Sequence, residues 1–584
     1  MDGLNSDLIL HIAQYVPVVD AAAWVQASRR YYYLIHNMRR VLGPEMVASA
    51  SSNPVKSALA QLRQCPNLAL CCNNLTSTFG EEVAGRLPPD AVVLGATSDD
   101  VQSCIGGEVE CSSPANMLLG NLGSEANVKP FDWQTQGSRP MQWDETMENE
   151  VIEKFPKSEP YEVFIIYCCG EGTGVLEEFI QTIQSRHPNA ALVGGICAAG
   201  YVSVEVDLPS MTPGMLRSKR VSVLKQMFRN LGGSEQFLAT LTEKQALVDQ
   251  VYQLLRKRRY VLDPHIENGI FGVALSGNVP VRSVVSRGVK RLTPPDLNLV
   301  IRESRILGPY VTHDWQQHAL FQRPNDQTTL TVIPPFHAVD TIIDSDTRAS
   351  WDLISFLAAC NSRGEGADFC GIRRKRSSST GSDADDYEDA FELYGLRLHS
   401  GNKIRIPAMN SAFVGSALPP SSLQQLQEAT RAEEGSLDEA QIDFFALDGQ
   451  ACVEHVEATM EQLKKQTEHD KDNLLAAMMF SCNGRGPSPG FLIRESMADA
   501  KSFTRAFGSD VPCTGFYCGG EIGPLATASP PNAPAKNPFQ RGKAALQGFT
   551  AVFALFIAPE VDLGNIQIDD SPEHVYEFIR KHLG

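Results

Sequence analysis

The sequence predicts an α/β (α+β) protein assembled from strand–loop–helix–strand units, and three observations carry that expectation. Strand-length apolar runs end in glycine loops, amphipathic helical patterns follow those loops, and the whole arrangement recurs along the chain. Its clearest copy spans 474–523. There Leu474–Phe480 has the length of a buried strand and runs into Ser481-Cys482-Asn483-Gly484-Arg485-Gly486. A helical pattern with Met497, Phe503 and Phe507 as its apolar positions follows. A second apolar segment, Val511–Tyr517, then ends in Cys518-Gly519-Gly520-Glu521-Ile522-Gly523. A weaker copy starts at Asn67–Cys72 and ends in the loop after Ala91–Gly95. Another links Val163–Cys169, Gly170–Gly174, a helix and Ala191–Gly195. Aligning the last two full copies places Cys169 on Cys482, Gly194 on Gly515 and Cys197 on Cys518.

Composition bounds the possibilities. At 584 residues, 43% apolar and 21% charged, the chain has the make-up of an ordinary globular protein with several cores. A net charge of −18 argues against broad nucleic-acid binding, which needs a basic face. No apolar run approaches the roughly 18 residues of a membrane span, and the N-terminus does not read as a secretory signal. The 14 cysteines include no C-x-x-C pair and no zinc-type spacing, which suits reduced thiols in an intracellular protein.

In chain order, residues 4–42 read as a compact helical segment. Leu8, Ile9, Ile12 and Val16 follow helical spacing, Pro17 stops the first helix and Asp20 caps the second. Residues 45–64 read as a helical connector. Ile270–Leu275 and Val281–Val285 read as a hairpin around Ser276-Gly277-Asn278, with Phe549–Ile557 in a similar role later. Residues 208–262 are a helical insertion ending in Arg256-Lys257-Arg258-Arg259, either a solvated helix end or a partner contact. Residues 361–390 lose apolar periodicity and read as a disordered insertion. It holds the basic quartet Arg373–Arg376, a candidate nuclear-import patch, and an acidic tract. Residues 528–541 read as a Pro-rich surface loop, and 563–584 as a C-terminal helix.

The candidate site is the mouth where the two glycine loops of 474–523 would open on one edge. It would comprise Cys482, Asn483, Gly484, Arg485, Gly486, Gly519, Gly520 and Glu521. Backbone N–H groups, a cation, a thiol and an anion would converge there on a small polar ligand. Arg485 would favour the Cys482 thiolate if the two are close, although a loop thiol is the commoner case. Glu521 could bind a ligand amine or brace Arg485. Gly170-Glu171-Gly172-Thr173-Gly174 lacks the Lys-Ser/Thr of a phosphate loop and reads as a tight turn. No cofactor motif, metal cluster or paired carboxylates emerge, so no cofactor is expected and no reaction can be named.

The C-x-G-R-G loop, its Phe-bearing helix and the Gly-Glu-Ile-Gly-Pro ending resemble a C-terminal FIST domain. Residues 4–42 resemble an F-box, with Asn5 where proline is usual and tyrosines where a tryptophan is common. Together the chain resembles the F-box only protein 22-like group. The resemblance implies an F-box over 1–45, an N-terminal FIST domain over 46–310 and a C-terminal FIST domain over 311–562. It further implies a non-catalytic substrate receptor of an SCF-type ubiquitin ligase, cytoplasmic with a nuclear route open. Leu8, Ile9, Ile12, Val16 and Pro17 would bind Skp1 of the Skp1–cullin core, and the FIST lobes would recruit a protein target under possible ligand control. The rival reading is a stand-alone sensor of small polar, amino-acid-like molecules, with the N-terminal helices as a structural cap.

Overall fold

The structure, a computed structural model, describes most of residues 44–559. It leaves out 1–43, 560–584 and internal stretches, the longest of which are 313–330, 374–390, 408–436 and 528–543. The expected F-box, the C-terminal helix and the Pro-rich loop therefore lie outside the described residues.

Mixed sheets and helices make up the fold, as expected. Three six-stranded sheets share one strand order, and each is built around one of the recurring units. Unit one contributes strands Glu45–Ser49, Leu68–Asn73, Val92–Thr97 and Ala115–Asn121. Unit two contributes Asn127–Gln134, Tyr161–Cys169, Ala191–Ile196 and Gly269–Ser276. Unit three contributes Val281–Ser286, Asp472–Cys482, Cys513–Cys518 and Ala551–Pro559. In every unit the second and third strands pair in parallel, joined by a helix, and the fourth returns antiparallel beside the second. The crossover helices are Thr78–Arg86, Leu176–Arg186 and Ala498–Phe507.

The hairpin that follows each third strand leaves its own unit. Val101–Ile105 with Glu108–Glu110, from unit one, pairs onto Cys513–Cys518 of unit three. Glu521–Pro524 with Ala544–Gln547, from unit three, pairs onto Ala191–Ile196 of unit two. Ala199–Glu205 with Tyr260–Ile266, from unit two, pairs onto Val92–Thr97 of unit one. The exchange is cyclic, and strands from either side of residue 310 share two of these sheets. Residues on either side of the expected division complete one another's edges because an unpaired strand edge leaves its N–H and C=O groups without partners.

Side-chain alternation explains why the strands read as continuous apolar runs. Val163, Ile165, Tyr167 and Cys169 face a central core shared by all three sheets, while Phe164, Ile166 and Cys168 face a helix-covered outer core. Met478 and Phe480 point inward and Ala477 and Met479 outward in the same way. Leu70 and Cys72 likewise point inward, and Ala69 and Cys71 outward. At the centre the Tyr167 ring meets Phe271, Phe480 and Phe516 edge-on at 5.8, 5.9 and 5.5 Å, and its hydroxyl donates to Met478 Sδ at 3.3 Å.

Several local expectations change. Residues 45–49 form a strand rather than a helical connector, because they close the edge of unit one against Ala115–Asn121. The helix of that connector is the short Pro54–Leu59. Gly269–Ser276 and Val281–Ser286 do not pair as a hairpin. The first sits between two strands of unit two, and the second caps Ala551–Pro559 in unit three. Within 361–390, Phe369–Arg373 is a strand of a further ten-stranded sheet, drawn from the chain between Val281–Ser286 and helix Gly449–Asp470 apart from the short strand Ala526–Thr527. The 208–262 insertion is helical, with Pro213–Ser218, Val221–Asn230, Glu235–Thr240 and Lys244–Leu255 around their own small core.

Candidate functional site

The third strands of the three units end at one place. Ser98 Oγ donates to Tyr517 O at 2.9 Å, Ile196 N to Gly520 O at 2.9 Å, Gly519 N to Ile196 O at 3.2 Å, and Ala198 N to Thr97 O at 3.0 Å. The two glycine loops of unit three meet at this junction. Cys482 and Cys518 are register neighbours on adjacent parallel strands, so their side chains share a face. The loop after Cys482 is a single 3₁₀ turn, Asn483–Arg485, ended by Gly486 at φ 76°, a conformation that favours glycine.

The convergence expected from the sequence holds, but the charges inside it are used differently. Arg485 is 2% exposed and forks onto Asp499, with Nε 3.0 Å from Oδ2 and Nη2 bonded to Oδ1. Its Nη1 donates to the carbonyls of Arg287 and Phe549 at 3.3 and 3.4 Å. Ser481 Oγ also donates to Asp499 Oδ2, at 2.9 Å. Burial opposes the charge on Arg485, but Asp499 and the neighbouring thiols outweigh it and hold the guanidinium protonated above its usual range. Arg485 is therefore an internal brace, not a ligand-facing cation.

Glu521 is fully buried and does not pair with Arg485. Its Oε2 accepts from Thr550 N at 3.1 Å and Thr550 Oγ1 at 2.8 Å, and Cys518 Sγ lies 3.6 Å from Oε1. Burial pushes the carboxyl up to about 8 against the pull of the Thr550 donors, so near neutrality it holds its proton. Cys482 also bonds this carboxyl, and backbone groups of Gly484 and Phe549 bond the sulfur. Burial and then the Glu521 charge push the Cys482 thiol up to about 12, with Arg485 pulling only weakly the other way. The expected Arg485-activated thiolate is thus replaced by a protonated, half-buried thiol. Phe549 holds a left-handed φ of 62°, a strained setting for a bulky residue, directly behind it.

Asn483, Gly484 and Gly519 are exposed, Gly486 is half-buried and Gly520 is buried. Exposed residues thus follow each of the paired cysteines, Asn483 and Gly484 after Cys482 and Gly519 after Cys518, and the protonated carboxyl of Glu521 is bonded to both thiols. Asp499, Thr550, Phe549 and Arg287 were not among the expected site residues. Asp499 stands second in its helix, a position that favours an acid, and that was the one sequence signal available. Arg287 lies 198 positions from Arg485, and nothing local announces the contact. Among the described residues no cluster of three or more metal-ligating side chains is present, and no helix is long and apolar enough to cross a membrane.

Comparison with known proteins bears on this region. A family model described as the FIST C domain matches residues 434–524, which cover helix Gly449–Asp470, the central strands of unit three and both glycine loops. A search of curated proteins returns no match. The family match agrees with the resemblance read from the C-x-G-R-G and Gly-Glu-Ile-Gly-Pro motifs, and it suggests a signal-transduction or sensor domain there.

Proposed function

We propose that the chain is a receptor that works by binding and positioning, and that a small polar ligand is taken at the Cys482 mouth. The observation carrying this reading is that exposed Asn483, Gly484 and Gly519 follow the register-paired Cys482 and Cys518, and that the half-buried Cys482 thiol bonds the protonated carboxyl of Glu521. Charged groups already bonded inside the protein hold the mouth in shape before any ligand arrives. Thermal melts of the full chain with free L-amino acids and small amines test the reading. A ligand at about 100 times its Kd should add about 2.7 kcal/mol of stability. Gly519→Leu should remove that gain without changing the unliganded melt, because Gly519 is exposed and a Cβ there meets nothing closer than 3.8 Å. Absence of a shift with every probe rejects the reading.

A second proposal rests on the N-terminal sequence. The spacing of Leu8, Ile9, Ile12, Val16 and Pro17 favours a substrate-receptor subunit of an SCF-type ubiquitin ligase. The N-terminal helices would bind Skp1, and the body would hold a protein target at high effective concentration near the conjugating enzyme. Purified Skp1 should co-elute with the full chain and not with a Leu8→Asp, Ile12→Asp variant. Equal behaviour of the two chains rejects it.

A further inference from the structure

At the ends of their second and third strands, units two and three each hold two thiols. Cys482 closes strand Asp472–Cys482, Cys518 closes Cys513–Cys518, and the two are direct register partners. Neighbouring strands run about 4.7–4.9 Å apart, inside the roughly 4.4–6.8 Å that separates the Cα atoms of a disulfide. Cys518 Sγ reaches across to the Cys482 strand, donating to Ser481 O at 3.3 Å. Both sulfurs also meet one group, since Cys518 Sγ lies 3.6 Å from Glu521 Oε1 and Cys482 bonds the same carboxyl. In unit two Cys169 and Cys197 bond one another, but both are buried. Of the cysteines whose burial is described, only Cys65 and Cys482 are not buried, and Cys65 stands outside the strands. Cys482 therefore combines access with a thiol opposite it in register.

We propose that Cys482 and Cys518 form a reversible dithiol–disulfide site, closed by a small-molecule disulfide of the glutathione type. The Cys482 sulfur attacks the S–S bond of the oxidant, forming a mixed disulfide and releasing one small thiol. The Cys518 sulfur then attacks the Cys482 sulfur and releases the second. One protein S–S bond replaces the one in the oxidant, and the two protein thiol protons leave on the two small thiols. The Cβ atoms of parallel register partners stand about one strand spacing apart, wider than the roughly 3.5–4.5 Å of a relaxed disulfide. Closure therefore takes a small backbone shift. Glycines permit it on both sides, Gly484 and Gly486 after Cys482, Gly519 and Gly520 after Cys518. Burial holds both thiols protonated, so exchange is slow and answers a sustained change of redox poise. Closure also takes both sulfur partners from Glu521 and leaves Thr550 as its donor. The site needs no ligand at the mouth, so it stands or falls apart from that reading.

Equilibration of the full chain in mixtures of reduced and oxidised glutathione, from strongly reducing to strongly oxidising, tests it. Free thiols are then alkylated, and tryptic peptides are read by mass spectrometry. Trypsin releases Cys482 in residues 472–485 and Cys518 in 506–536, a peptide that also carries Cys513. The expected product joins these two peptides through Cys482 and Cys518, rises with the oxidised fraction, and disappears on return to reducing buffer. Cys518→Ser should lower the cross-link at least about tenfold and leave Cys482 as its glutathione adduct. Should that variant unfold, the unsubstituted chain alone decides. A chain that stays reduced at every ratio, or a glutathione adduct on Cys482 without the cross-link, overturns the proposal. So does a bond from Cys482 to Cys513, a cross-link formed only in denaturant, or one that reducing buffer leaves in place.

Discussion

Units two and three share strand order, crossover and register, yet they finish the same junction with opposite chemistry. Gly194 faces Ile166 as Gly515 faces Met479, which places Cys169 and Cys197 in the positions of Cys482 and Cys518. Counting on from those cysteines, Gly172 stands where unit three has Arg485, and Gly200 where it has Glu521. Gly172 lies against the Gly269 backbone and Gly200 against the Phe271 ring. Unit two seals its end by close backbone and aromatic packing. Unit three opens the same space and fills it with a buried ion pair and a protonated carboxyl. Of these two copies of the scaffold, only unit three carries a buried ion pair and a protonated carboxyl at this junction, and the FIST C domain model matches its central part.

The sharpest way to break this contrast is Arg485→Ala. Leaving Asp499 buried and unpaired should cost about 3–5 kcal/mol, read as a lowered denaturation midpoint. Replacing both partners by apolar residues of similar size should recover most of that loss. Next come the equivalent glycines. A Cβ on Gly194 would sit 1.8 Å from Ile166 O, and one on Gly515 1.9 Å from Met479 O. Ala at either should therefore destabilise by about 2–4 kcal/mol, and by similar amounts if the two units are equivalent there. Unequal effects would show that the register correspondence is superficial.

Glu521 provides a pH test. Its folded value near 8 lies above the ordinary 4.5, so the folded chain keeps a proton that the unfolded chain releases. Its contribution is full below about 4.5 and declines as pH rises toward 8. Glu521→Gln should flatten that part of the pH–stability curve and gain on the order of 2–3 kcal/mol at pH 8. A slope unchanged by the substitution would place the titration elsewhere. The smallest effect is expected at the rim. Gly519→Ala should alter stability by no more than about 0.5 kcal/mol, whereas Gly200→Ala, with a Cβ 2.1 Å from Phe271, should cost several-fold more.

Much of the scaffold was legible because each unit writes itself locally. Strand-length apolar runs such as Val163–Cys169 have both faces covered, and the loop glycines mark where a strand must stop. The alignment of Cys169 with Cys482 and of Gly194 with Gly515 follows from that local pattern, and the sheet register agrees with it. The pairing of hairpins across units was not legible, since Ser98 and Tyr517 meet 419 positions apart with no local signal. At the site, proximity of the two loops was readable but the partners were not. Arg485 is followed along the chain by four acids, Glu495, Asp499, Asp510 and Glu521, and only packing selects Asp499 as its partner.

The exchange of hairpins has a consequence for biosynthesis. Residues 101–110 leave the ribosome about 400 positions before the strand they join, which at roughly 5–20 residues per second is a wait of roughly 20–80 s. Throughout that interval the nascent chain carries ready-made β-edges that invite mispairing, and a stop codon before 551 would leave unit three without the strand that flanks Asp472–Cys482. The segment 434–524 is recognisable by its sequence, but it is not a piece that can be excised and expressed as a self-sufficient body.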